Sequence, residues 1–103
     1  MNAPLHAEVA AFDRDGYVIV RGLLSPEEVT LLGRIARADQ VLAQSAYGRK
    51  DASGLPVTLA VRNELSDDIY STIARSRRLV DRMSAYLRDE VYHWHHKLIL
   101  KEP

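Results

Sequence analysis

Apolar residues recur at helical spacing from Pro4 to Asp15, where Leu5, Val9, Ala10 and Phe12 mark one face and Pro4 suits a first turn. Gly16 ends that period. Tyr17-Val18-Ile19-Val20 is a short aromatic and β-branched run closed by Gly22, which predicts a buried strand. Ser25, Pro26 and Glu28 form a capping-box signature, with the hydroxyl and the carboxylate each placed to satisfy an orphan backbone N–H. Val29, Leu32, Ile35 and Ala36 then predict a helix from Pro26 to about Val41.

From Tyr47 to Pro56 the chain mixes Gly48, Gly54 and Pro56 with Arg49, Lys50 and Asp51, the composition of an exposed loop. Val57 to Val61 predicts a short strand. Ser66, with Asp67 and Asp68 behind it, opens a helical region where acids favour the helix start. Ile69, Ile73, Val80, Met83 and Leu87 supply apolar positions over two helical pieces broken near Ser76. The aromatic and branched run from Val91 to Lys101 predicts a final strand. On a period of two, Val91, His93, His95, Lys97, Ile99 and Lys101 share one face, and Tyr92, Trp94, His96, Leu98 and Leu100 form a core face.

The pattern is therefore α+β, with two or three strands and a half-apolar final one that cannot close a sheet. An open edge of this kind predicts self-association, or a place in a larger fold.

Composition narrows the reading. A length of 103 residues is one domain's worth of chain, and 14 Lys and Arg against 14 Asp and Glu leave no basic excess for nucleic acid. No apolar run approaches the ~20 residues of a membrane span. The amino terminus lacks the basic start and apolar stretch of a secretory signal, so a cytoplasmic location is expected. The absence of cysteine excludes disulfides, thiolate metal sites and cysteine catalysis.

Three of the four histidines fall in His93-Trp94-His95-His96. On a strand, His93 and His95 would point the same way roughly 6.5–7 Å apart, a spacing two ligands of one divalent metal can use. A cupin-type glutamate four or five residues later is missing, since Ile99 and Leu100 stand there. The favoured reading is that these histidines line a polar cavity or pair with neighbours, with no metal. Lys97 on the same face predicts either a carboxylate-bearing ligand or a solvated strand. Arg75, Arg77, Arg78, Arg82 and Arg88 read as a solvated helix face before a phosphate patch, because Asp81, Asp89 and Glu90 lie among them. Phosphate loops, nucleophile elbows and His-Glu-x-x-His helices are absent, and no catalytic residue is assigned.

The run from Phe12 to Val29 has the form F-x-x-D-G-Y-x-x-x-x-G-L-L-S-x-E-E, and the run from Tyr92 to Pro103 has the form Y-H-x-H-H-K-x-x-x-K-x-P. Together they cover about a third of the chain, and they resemble the amino-terminal part of the phytanoyl-CoA dioxygenase family. The resemblance implies a double-stranded β-helix, the cupin-like jelly roll of about eight strands, of which residues 1–103 supply the leading helices and first strands. It implies Fe(II) and 2-oxoglutarate as cofactors and a small organic molecule as the substrate to be hydroxylated. It also implies an iron site of His-x-Asp and a distant histidine. Nothing in this sequence matches that triad, so the chain alone is expected to be inactive and to hold neither cofactor tightly. By the same resemblance, Lys97 faces the 2-oxoglutarate carboxylate and His95 lines the substrate side of the pocket. The rival expectation is a small non-catalytic α+β module that pairs through its open sheet edge.

Overall fold

The computed structural model describes residues 2–101, and the side chains of all of these except Ala3 and Ser45. Five helices and three strands follow in the order α1 (Ala3–Asp15), α2 (Pro26–Ala38), α3 (Gln40–Ser45), β1 (Tyr47–Lys50), β2 (Pro56–Arg62), α4 (Ile69–Ala74), α5 (Arg77–Leu87) and β3 (His96–Lys101). The chain is thus α+β, and it divides into two compact units. One comprises residues 1–25 and 66–93, the other residues 26–65 and 94–103.

The first unit holds α1, α4 and α5. Asn2 caps α1 by accepting the Leu5 N–H at 2.9 Å. Gly16 closes it in the left-handed region at φ 80°, with its N–H on the Phe12 carbonyl. Asp68 caps α4 by accepting the Ser71 N–H at 2.7 Å, and Ser66 donates to the other oxygen of the same carboxylate at 2.9 Å. Ser71 is fully buried, its hydroxyl accepting the Ser66 N–H. The expected break at Ser76 is present, because Ser76 adopts an extended backbone at ψ 148° between α4 and α5.

The expected strand Tyr17–Val20 is absent: the segment has no ladder partner among the described residues, and Tyr17 and Ile19 are exposed. β propensity reports fit to a neighbouring strand, so a branched run without one stays irregular.

The second unit holds α2, α3 and an antiparallel sheet in the order β1-β2-β3. The helix expected to reach Val41 instead stops at Ala38. Asp39 turns its side chain onto the Leu42 N–H at 2.9 Å and starts α3 anew, the competition with helical backbone that short polar side chains offer. The expected loop from Tyr47 is a hairpin. Asp51 accepts from Ser53 N, Ser53 Oγ and Leu55 N at 2.7–3.0 Å, and Gly54 takes φ 84°. These bonds, led by the Ser53 hydroxyl and then the Leu55 N–H, hold the Asp51 carboxyl below the usual range.

β3 starts five residues later than the pattern predicts. Its first pair is Arg62 with His96, and Arg62 is the last residue of β2. Residues 91–95 lie outside the strands of the described residues. Tyr92 and Trp94, expected on a core face, are 82% and 73% exposed. From His96 onward the alternation holds: His96, Leu98 and Leu100 are half-buried, while Lys97, Ile99 and Lys101 are exposed.

Candidate functional site

Of the residues singled out by sequence, Lys97 stands in β3 opposite Val61, on the exposed face with Ile99 and Lys101. His95 is exposed and precedes the strand. Neither His93 nor His95 is in a strand, so the strand alternation that would set both imidazoles on one face does not apply to them. Among the described residues no three His, Asp or Glu side chains come together as a metal site.

A cavity of about 210 Å³ lies between α2, α3 and the sheet, with Ala36, Leu42, Thr58 and Leu100 in its wall. It falls below the ~300 Å³ at which ligand pockets ordinarily begin. Thr58 and Leu100 are cross-strand partners, which fixes the face on which α3 packs. Lys97 has the opposite parity in β3 from Leu100. It therefore lies on the sheet face turned away from α3.

The arginine cluster ties the first unit together. Arg82 donates through Nε to Glu8 Oε1 at 2.9 Å and through Nη2 to Oε2 at 3.4 Å, and the Tyr86 hydroxyl donates to the same Oε1. Phe12 stacks on Tyr86 with ring centroids 5.3 Å apart and planes 16° from parallel. Arg88, at φ 55°, pairs with Asp13. Arg78 donates to the Leu23 carbonyl and Arg75 to that of Ser66. Arg77 meets Asp81 one turn along at 3.4 Å. These arginines are committed to α1, α5 and nearby carbonyls, which accounts for them without a phosphate.

The Glu8–Arg82–Tyr86 group escapes a reading based on residue type alone. Its signal is a matched spacing, since Glu8 and Phe12 on α1, like Arg82 and Tyr86 on α5, are four residues apart and share a helix face. The Tyr86 bond, followed by those from Arg82, lowers the Glu8 pKa against the opposing effect of burial. Burial first, then Glu8, pushes the Tyr86 phenol up to about 12. A carboxylate spent on two donors and a phenol held protonated make a structural latch with no proton to give at neutral pH.

No helix among the described residues is long and apolar enough to cross a membrane. Comparison of the chain with protein-family models, with curated proteins and with solved structures gives no match.

Proposed function

We propose that this chain forms the leading helices and first barrel strands of a cytoplasmic, Fe(II)- and 2-oxoglutarate-dependent oxygenase resembling the phytanoyl-CoA dioxygenases. The observation that carries the reading is the position of Lys97. The sequence that resembles the family's Y-H-x-H-H-K strand runs into β3, and there Lys97 lies on the sheet face away from the covering helix. In a jelly roll with helices packed outside, that is the face turned toward the barrel interior. A lysine there supplies a point charge for a carboxylate of the cosubstrate, and His95, just before the strand, stands at the rim where substrate would enter. The iron and its ligands lie outside the residues described, and these 103 residues contribute scaffold and one wall.

The test is to read the coding DNA beyond codon 103. An in-frame His-x-Asp pair followed by a distant histidine and an arginine supports the oxygenase. A stop codon directly after Pro103 sinks it. In parallel, the purified chain supplied with Fe(II), ascorbate and 2-oxoglutarate is expected to form no succinate. Iron-dependent succinate formation would show that the chain is itself catalytic.

A second reading rests on the free edge of β3, which has a ladder partner on one side only among the described residues. In this reading the chain is a non-catalytic module that completes its sheet with a strand from another molecule.

A further inference from the structure

The charge of this chain sums to zero, yet it is not evenly spread. The three strands carry Arg49, Lys50, Arg62, Lys97 and Lys101 and no carboxylate. They hold all three lysines of the sequence. Asp51 in the β1–β2 turn lies within electrostatic reach of Lys101, and Glu102 follows Lys101 in the sequence. Among the described residues β3 is an edge strand, and on its face away from α3 Ile99, 53% exposed, sits between Lys97 and Lys101 at alternate positions.

We propose that the free edge of β3 takes an extended acidic segment of another protein, one with carboxylates two residues either side of an apolar residue. Added antiparallel, such a strand sets its apolar residue opposite Ile99 and a carboxylate opposite each of Lys97 and Lys101. Its two intervening side chains lie beside Leu98 and Leu100. Main-chain bonds supply the attachment, and the two ion pairs fix register and exclude basic segments.

A second copy of this chain is a poor occupant. Pairing about a two-fold axis at Ile99 sets Lys97 opposite Lys101 on both sides of the axis. Moving the axis to Leu98 makes the two Lys97 side chains diagonal neighbours. Like charges in these positions oppose pairing, the usual way an edge strand is kept from its own copies. The proposal rests on the second reading, in which the edge of β3 is open to another molecule, and it names the chemistry of that molecule.

The experiment uses the whole chain and a fluorescein-labelled peptide, Thr-Glu-Leu-Val-Leu-Glu-Thr, with a counterpart carrying lysine in place of both glutamates. Fluorescence anisotropy at low salt is expected to show the acidic peptide binding roughly ten-fold or more tightly than the basic one. The margin should narrow as salt is raised, and amide exchange should slow within residues 96–101. The Lys97→Glu, Lys101→Glu double variant, altered only at exposed positions, is expected to reverse the preference. Absent or equal binding of the two peptides by the unaltered chain overturns the proposal, whatever the variant does. So does exchange protection of β3 that rises with chain concentration alone, which would make a second copy the occupant.

Discussion

Glu8 accepts three hydrogen bonds from two residues of α5, which couples its carboxylate to the packing of α1 on α5. Replacing Tyr86 by Phe keeps the stack on Phe12 and removes one donor, at an expected cost of about 1 kcal/mol in urea unfolding. Phe12→Ala opens a gap against a ring that is 5% exposed, and is expected to cost about 2 kcal/mol. The pH dependence follows from the directions of the two shifts. Glu8 is lowered on folding, so its contribution is present above its ordinary pKa of 4.5 and is lost as pH falls through the lower folded value. Tyr86 is raised from 10 to about 12, so its contribution is complete below pH 10 and is lost as pH rises toward 12. Urea midpoints measured across pH should fall at both ends, and Tyr86→Phe should flatten the alkaline fall. An unchanged alkaline slope in that variant would refute the assignment. Of this group, composition shows only the arginines. Their partners are separated from them by more than seventy residues, and only the folding of α1 against α5 brings them together.

At the scale of elements, boundaries set by local chemistry were legible and those set by a partner were not. α1 begins beside Pro4 and ends at Gly16, α2 begins at Pro26, and the helix break falls at Ser76, all as residue type predicts. Tyr17–Val20 and Val91–His95 carry the composition of strands but find no strand to pair with, and composition cannot supply one. Tyr47–Lys50 carries the composition of a loop, yet pairs along its whole length with Pro56–Leu59 because the Asp51 turn folds it back. The helix ends can be tested directly. A Cβ added at Gly16 meets no atom within 4 Å, so Gly16→Ala costs only the left-handed backbone, about 1 kcal/mol. Gly16→Asn should recover part of that loss, since asparagine tolerates φ > 0. Asp68→Ala removes the α4 cap beneath the buried Ser71 and should cost about 1 kcal/mol. Equal melting of Gly16→Ala and the parent chain would mean that the left-handed cap is not held in solution.

For the whole chain the decisive balance is between what is covered and what is not. Among the described residues the buried apolar and aromatic ones are Ala36, Leu42, Val57, Ala60, Tyr70 and Tyr86, two of them alanines, while fifteen large apolar or aromatic residues are exposed. Tyr17, Ile19, Tyr92 and Trp94 are each more than 60% exposed, and all four lie in segments that read as strands by composition. Scattered exposed leucines are ordinary, but exposed aromatic and branched residues in extended segments outside the sheet offer surface that another strand can cover. Few buried side chains must offset the ordering of about a hundred residues, so the chain on its own should be marginal. It is expected to melt below about 45 °C, under the ~45–65 °C range of ordinary domains, and to bind an apolar dye such as ANS before the transition. If the coding DNA reads on in frame past codon 103, the longer chain is expected to melt at a higher midpoint and to lose the dye binding. A cooperative transition above about 60 °C for the 103-residue chain without dye binding would instead mark a self-sufficient module, and the oxygenase reading would lose its physical support.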